Sequence, residues 1–165
     1  PRDLKTERLR LRPFAAADVT AFADLAGDWH VARMTSDIPH PLPKDIAARW
    51  LKPVSGDVRF AIECDGRLIG GIGYYCRLPR IGELGFWIAK PYWGHGIAKE
   101  AARAVVTYGF TEGRLTAMSS AHFIDNPASA RVITHLGDKP KFFFIFIRYQ
   151  KKTASPFGLT VSKCC

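Results

Sequence analysis

Hydrophobic and polar residues alternate strictly near the start of the chain, in the segment RLRLR at residues 8–12. Leu9 and Leu11 fall on one side of an extended chain and the three arginines on the other, which is typical of a half-buried strand. The spacing changes over residues 17–26, where apolar residues recur at intervals of three and four. This second pattern predicts an amphipathic helix.

Two apolar segments in the middle of the chain, residues 58–64 and 68–76, flank the dipeptide Asp65-Gly66. That dipeptide is a hairpin-turn signal, so the pair predicts two antiparallel strands. Before them, a proline-rich loop at 35–43 leads to a predicted helix at 44–51. Glycines within the second segment predict a bend or bulge. They are Gly70, Gly71 and Gly73.

The following pattern predicts, in order, a strand at 82–89, a helix at 96–110 and a strand at 115–123. Asn126 then suits the N-cap of a last helix, Pro127 its first position and Gly137 its C-cap. The aromatic segment at 139–149 is compatible with one more strand. A hairpin of strands followed by strands joined through helices predicts a mixed sheet, in an α/β (α+β) fold.

Composition narrows the class of protein. A length of 165 residues fits one domain spanning 1–165. No apolar run reaches 18 residues, and the N-terminus has no signal-peptide core. The four cysteines show no spacing typical of a metal site. We therefore expect a cytoplasmic protein with no metal and no membrane partner.

The net charge of +9 raises the question of nucleic-acid binding. Six positive residues and no acidic residue follow Asp138, so the first 138 residues carry 18 positive against 15 acidic side chains. The excess is concentrated in the tail, where a solvated basic segment is the simpler interpretation and a polyanion-binding patch the alternative. Nucleic acid is therefore not the expected partner.

The segment Trp93–Ala98, WGHGIA, lies between a predicted strand and a predicted helix. A helix N-terminus presents free N–H groups, and glycines allow close approach of an anion, so this junction can form a phosphate cradle. It matches neither the Walker A pattern nor the dinucleotide-binding pattern G-x-G-x-x-G. Two glycines alone also fit an ordinary turn into a helix.

The same segment resembles the signature Gln/Arg-x-x-Gly-x-Gly/Ala of the GNAT family of N-acetyltransferases, with Trp93 in place of the usual Gln or Arg. Further segments match, in order, the RimJ/RimL-type ribosomal-protein N-terminal acetyltransferases. They are TERLRLR at 6–12, IPHP at 38–41, ELGFWI at 83–88, NPASARV at 126–132 and Leu136-Gly137. The resemblance covers about residues 6–137.

The resemblance implies a mixed, mostly antiparallel sheet of six to seven strands with about four helices, splayed at the cofactor site. It implies acetyl-CoA as the acetyl donor. The implied cofactor-binding residues are Phe86, Trp87, Ile88, Trp93, Gly94, His95, Gly96, Ile97, Ala98, Asn126 and Ser129. His95 lies at a variable position and is expected to contribute only its backbone N–H.

The family's chemistry requires a neutral attacking amine and a protonated leaving thiolate. Glu83 occupies the position of a general base, and Ser129 that of the general acid for the thiolate. The alternatives are a strand-end carboxylate at Glu83 and a small residue of the helix's first turn at Ser129. His122 is a weaker candidate for acid–base catalysis.

The expected function is acetyl transfer from acetyl-CoA to a primary amine, with a protein N-terminal amine as first choice. The alternatives are a small-molecule amine (a polyamine, an aminoglycoside or an amino acid) and a non-catalytic CoA-binding module. Residues 137–165 depart from the family's pattern, which affects the final strands, the acceptor pocket and any dimer interface. Both a monomer and a homodimer are compatible with the sequence.

Overall fold

In a computed structural model, which describes residues 2–137 and 144–149, the chain forms a seven-stranded sheet whose strand order follows the sequence. The strands are β1 (Leu4–Lys5), β2 (Arg10–Arg12), β3 (Asp57–Cys64), β4 (Arg67–Leu78), β5 (Ile81–Ile88), β6 (Ala117–Phe123) and β7 (Phe144–Tyr149). The α-helices are α1 (Val19–Ala26), α2 (Trp29–Ala32), α3 (Lys44–Trp50), α4 (Ile97–Thr111) and α5 (Pro127–Gly137). Short 3-10 helices span Ala16–Asp18 and Lys90–Tyr92.

Neighbouring strands from β1 to β5 are antiparallel, whereas β5 pairs with β6, and β6 with β7, in parallel. Parallel neighbours need a crossover connection, and α4 supplies the one between β5 and β6. The predicted mixed, mostly antiparallel sheet is confirmed.

The β3–β4 hairpin follows its turn signal. Asp65 and Gly66 both have positive φ, at 49° and 74°, as a type I′ turn requires. The register shifts between Ile62 and Glu63, opposite Gly70, so the bulge predicted from the glycines is also present.

Helices cover both faces of the sheet, and the alternation along β5 shows which residues face which helices. Leu84 and Ile88 are buried in a large core beneath α4 and α5. Trp87 points to the opposite face, where it packs with Phe22 and the other residues of a smaller cluster under α1 and α3. Glu83 and Gly85 share that second face with Trp87 because side chains alternate along a strand.

Two features differ from the sequence prediction, and a third prediction is largely untested. The two-residue β1 and the four-residue α2 are too short to produce a periodic pattern, so residues 2–137 and 144–149 contain five α-helices where about four were expected in the chain. Helix α5 extends through Gly137, which was predicted to cap it. The predicted departure of residues 137–165 falls largely outside the described residues, although β7 does form within the aromatic segment.

Candidate active site

Strands β5 and β6 separate halfway along their length. They pair only where Ile81–Leu84 faces Ala117–Ser120, yet β5 continues to Ile88 and β6 to Phe123. The two strands are parallel, so their carboxyl ends open at the same edge of the sheet, where ligands bind in α/β folds. The splayed sheet expected from the resemblance is present.

The pairing with β4 determines which backbone groups of β5 face this gap. Ala89 donates its N–H to the carbonyl of Ile69 at 2.8 Å, so the hydrogen-bonded pairs fall at the odd-numbered residues of β5. The N–H and C=O groups of even-numbered residues therefore point toward β6. Beyond the point of separation these residues are Phe86 and Ile88, which no described strand pairs on that side.

At each end of the gap, a side chain donates a hydrogen bond to a backbone carbonyl of β5. The hydroxyl of Ser120, only 1% exposed, donates to the carbonyl of Leu84 at 3.0 Å, at the last paired position. The indole N–H of Trp93 donates to the carbonyl of Ile88 at 2.7 Å. Between them, the N–H and C=O of Phe86 and the N–H of Ile88 face the gap. An amide-containing chain inserted there could pair with these groups as a strand would.

The loop after β5 forms a cradle of backbone N–H groups. Gly94 and Gly96 have φ of 78° and 75°, which residues with a side chain adopt at a cost, and α4 begins at Ile97. Gly96 is the N-cap and makes no side-chain capping bond, so the first N–H groups of α4 are presented to a ligand. The loop is exposed from Trp93 to Gly96. These properties suit a phosphate group, so the loop fits the pyrophosphate of CoA.

The turn after β6 lies at the same edge of the sheet. Asn126 caps α5, accepting a hydrogen bond from the N–H of Ser129 through its Oδ1 at 3.1 Å, and Pro127 is the first helical residue. The predicted cap is confirmed. Both Asn126 and Ser129 are half-buried. The fold thus brings the turn of Asn126–Ser129 and the loop of Trp93–Ala98 to the mouth of one opening.

A split parallel strand pair with a glycine cradle at its mouth is the arrangement that the sequence resemblance anticipated. The sequence also matches the family model described as an acetyltransferase (GNAT) domain, over residues 8–139. The chain belongs to the GNAT acetyltransferase family. It is therefore an acyltransferase of GNAT type, and the family's acetyl donor is acetyl-CoA.

Individual proteins agree with this assignment. The uncharacterized N-acetyltransferase YoaA of Bacillus subtilis is 27% identical, over 96% of this chain and 93% of its own length. A GNAT-family acetyltransferase from Bacillus anthracis superposes with a TM-score of 0.74 at 24% identity, over 85% of both chains. RimL, a ribosomal L7/L12 alpha-N-protein acetyltransferase solved with coenzyme A, gives a TM-score of 0.71 at 17% identity, over 81% of this chain and 82% of its own. At these identities the two solved structures establish the fold.

In this GNAT domain, Glu83 lies at the end of the paired part of β5, opposite Ser119. Its half-buried side chain shares a face with Gly85 and Trp87. Gly85 is exposed, and a Cβ built on it would meet no atom within 4 Å. An open space therefore lies over Gly85, between a carboxylate and an aromatic wall.

Two of the histidines, His95 and His122, lie on segments that border the gap. The His95 side chain is exposed, and its carbonyl accepts a hydrogen bond from Arg8 at 2.8 Å. His122 lies in the separated part of β6, with its Nδ1 2.8 Å from the carbonyl of Phe123. Among the described residues, no group of three or more metal-ligating side chains is close enough to hold a metal ion. Within that same part of the chain, no helix is long and apolar enough to cross a membrane.

The two described cysteines are poor nucleophiles. Burial, followed by the charge of a nearby aspartate, raises the pKa of the Cys64 and Cys76 thiols. A raised pKa keeps a thiol protonated, and only the thiolate is reactive. Neither of these two described cysteines is therefore suited to carry the acetyl group.

Sequence reasoning missed the side chains that hold the site's backbone in place. Ser120 could not be found, because its role depends on the register of two strands. Arg8 lies in the segment at 6–12 that resembles the family, and Glu100 lies in the predicted helix at 96–110. Nothing in their spacing along the chain shows that the two side chains are in contact. Their contacts join residues 92 positions apart.

Proposed function

We propose that the protein transfers the acetyl group of acetyl-CoA to a primary amine, and that this amine is the N-terminus of a protein. The observation that carries the proposal is the juxtaposition of the glycine cradle with the unpaired edge of β5. The cradle suits a pyrophosphate, and the edge suits a chain of amides. Acetyl-CoA contains both, in that order, and ends in an activated thioester.

The cofactor would be held mainly by backbone groups. The N–H groups of Gly94–Ala98 would bind the pyrophosphate, and the edge of Phe86 and Ile88 would pair with the pantetheine amides. The N–H of Ile88 points into the gap, where it is suited to polarise a thioester carbonyl. Asn126, on the opposite wall, would contribute a side-chain contact.

Two side chains of this chain would move the protons. Glu83, directly or through water, would remove a proton from the acceptor ammonium, because only the neutral amine has a lone pair for attack. Ser129, at the first turn of α5, would donate its hydroxyl proton to the departing sulfur. The second proton that the nitrogen loses as the amide forms would return to Ser129 through water. Glu83 belongs to β5 and Ser129 to the helix that follows β6, so the two side chains come from the two strands that separate at the gap.

The acceptor would enter from the face of β5 opposite α4. Gly85 leaves space there, and Trp87 with Phe22 forms an apolar wall. Trp29, at 56% exposure, is a further exposed aromatic side chain and packs edge-on against His40 of the proline-rich loop. An open, partly aromatic surface suits a peptide segment better than a small polycation. The motifs shared with the RimJ/RimL-type enzymes support the same choice.

The test combines binding with turnover. Calorimetry should detect binding of CoA to the purified protein. Thiol release from acetyl-CoA should then be measured with lysine-free peptides that have a free N-terminus, with the same peptides Nα-acetylated, and with polyamines, aminoglycosides and free amino acids. We expect release with the free peptides and none with their blocked partners.

Each other outcome points elsewhere. Release with small amines alone would assign the acceptor to that class and overturn the N-terminal proposal. CoA binding without release for any amine would favour a binding module. Absence of CoA binding would overturn the proposed site altogether.

A further inference from the structure

The N-terminal segment Thr6–Arg8 is bonded to the first turn of α4, next to the glycine cradle. We propose that Arg8 is a positioning residue that sets the orientation of the phosphate-binding loop through the carbonyl of His95, with Glu100 as its anchor. The proposal rests on the proposed binding of CoA at this loop and identifies what holds the loop ready.

The contacts form a continuous bridge. The Arg8 guanidinium donates from Nε to a Glu100 oxygen at 2.7 Å and from Nη1 to the carbonyl of His95 at 2.8 Å. The other Glu100 oxygen accepts from the backbone N–H of Arg8 at 2.9 Å and from the Thr6 hydroxyl at 2.6 Å. Arg8 is thus held at both backbone and side chain before it reaches the loop.

The His95 carbonyl, which accepts the hydrogen bond from Arg8, lies where the backbone of the loop has the greatest conformational freedom. His95 stands between two glycines, and glycine adopts positive and negative φ with similar ease. Its carbonyl and the N–H of Gly96 belong to one planar trans peptide unit, so they point in opposite directions. Holding the oxygen toward Arg8 therefore directs the N–H of Gly96 away from Arg8, toward the ligand side of the cradle.

Arg8 also compensates an unfavourable charge. Glu100 lies in the first turn of α4, beside a proposed anion site that its carboxylate would repel. Partial burial opposes ionisation of Glu100, but the hydrogen bonds from Thr6 and Arg8 outweigh it and lower the pKa of the carboxyl. The carboxylate is therefore charged at neutral pH, and the Arg8 guanidinium offsets that charge.

Positioning and charge compensation make different predictions, which a set of variants separates. Calorimetry should give the dissociation constants of CoA and of 3′-dephospho-CoA for Arg8→Ala, Arg8→Lys, Glu100→Gln and the double variant Arg8→Ala/Glu100→Gln. Arg10→Ala is the matched control, because Arg10 has similar side-chain exposure (50% against 44%) and an ion pair with Asp3 but no contact with the loop. Thermal unfolding without ligand checks that each variant is folded.

We expect Arg8→Ala to weaken both ligands equally, by about 10- to 100-fold, as for loss of a hydrogen bond from a charged group. Arg8→Lys should also bind more weakly than wild type, because one ammonium cannot bridge both Glu100 and the His95 carbonyl as a guanidinium does. The double variant should stay weak, since removing the Glu100 charge does not restore the bond to the loop. Arg10→Ala should bind both ligands like the wild type.

Three results would overturn the inference. Binding by Arg8→Ala that equals that of Arg10→Ala would remove any role in the loop. Full recovery in the double variant would show that Arg8 only neutralises Glu100. A loss for CoA but not for 3′-dephospho-CoA would place Arg8 on the 3′-phosphate. If Arg8→Ala does not fold, the comparison of Arg8→Lys with Arg10→Ala decides the question, and if the wild type binds no CoA, the proposed function itself fails.

Discussion

The edge of β5 at the gap, where the donor is proposed to bind, is built differently from the face toward α1 and α3, where the acceptor is proposed to enter. On the donor side, bonds to backbone groups fix the site: Ser120 and Trp93 hold carbonyls of β5, and Arg8 holds the carbonyl of His95. On the proposed acceptor side, half-buried Trp87 packs against buried Phe22, with space over the neighbouring Gly85. Binding by backbone groups suits a cofactor that is common to a family, whereas a surface of side chains suits an acceptor that differs between its members.

The donor side and the acceptor side nevertheless have one feature in common. Arg8 connects the N-terminal segment to the first turn of α4, and Arg12 connects it to the start of α1 through two hydrogen bonds to Asp18, at 2.8 and 2.9 Å. Arg12 also donates to Glu63 at 2.6 Å. One short polar segment therefore anchors a helix on each side of the sheet.

Glu83→Gln is the strongest test of whether the donor side and the acceptor side of β5 act independently. We expect roughly a 100-fold loss of kcat/KM at neutral pH, within the range for general base catalysis, with no change in the dissociation constant of CoA. The loss should shrink as the pH approaches the pKa of the acceptor amine, because the amine then loses its proton without help. Steady-state kinetics across pH, with calorimetry for CoA, measures both.

Glu112→Gln is the control for that variant, since Glu112 is a carboxylate at the opposite end of α4 from the loop. This control should change neither kcat/KM nor the dissociation constant of CoA. Weakened CoA binding in Glu83→Gln would show that the donor side and the acceptor side are not independent. A loss of kcat/KM that is constant with pH would argue against Glu83 as a general base.

Gly96→Val attacks the donor side directly. Valine is strained at a φ of 75°, and the nearest atom to its Cβ would be the Arg8 guanidinium at 3.5 Å. The loop of this variant is expected to relax in the free protein, so CoA would have to restore a strain of about 2 kcal/mol, which corresponds to roughly 30-fold weaker binding by calorimetry.

Gly85→Val provides the contrast, because Gly85 also has open space but no positive φ. It should leave CoA binding intact and raise KM for the acceptor. If both substitutions affected binding of the same ligand, the assignment of one side of β5 to CoA and the other to the acceptor would be wrong.

Acid should weaken both anchors. Hydrogen bonds from Arg12 lower the pKa of Asp18 against the effect of burial, and the pKa of Glu100 is lowered as well. Because both pKa values are lower in the folded protein, these groups stabilise it above the unfolded-state pKa values, near pH 4, and that stability is lost as the pH falls through the folded-state values. Urea unfolding between pH 7 and pH 2 should show this decline.

Asp18→Asn and Glu100→Gln should each flatten the acid limb of that curve, because neither amide titrates. An unchanged slope in either variant would show that its carboxyl has the same pKa folded and unfolded.

The strand containing these arginines shows how far sequence reasoning extends. The alternation at 8–12 correctly placed Leu9 and Leu11 in the core, where they are 4% and 0% exposed. It placed the arginines on the other side but could not show that two of them reach separate helices, because their partners depend on tertiary packing. The cradle and the cap at Asn126 were predictable because their signals are local. Ser120 was not, because its bond depends on strand register.

Trp93→Phe tests a smaller donor-side contact. Phenylalanine keeps the aromatic ring but cannot donate to Ile88, and one hydrogen bond is worth about 1 kcal/mol, or roughly a fivefold loss of CoA affinity. Trp29→Phe is the matched control on the acceptor side and should leave CoA affinity unchanged. Equal effects of the two would mean that the indole N–H has no specific role at the gap.

His95→Ala should have the smallest effect, because the imidazole is exposed and the loop uses only the backbone of residue 95. Alanine keeps both the N–H and the carbonyl that Arg8 holds, so kcat and CoA affinity should stay within about threefold of wild type, less than the cost of one hydrogen bond. A thousandfold loss of kcat, equivalent to about 4 kcal/mol of barrier, would instead make the imidazole a catalytic group. In that case a variable side chain would perform chemistry on the donor side, and the division between a backbone-built donor site and a side-chain-built acceptor site would fail.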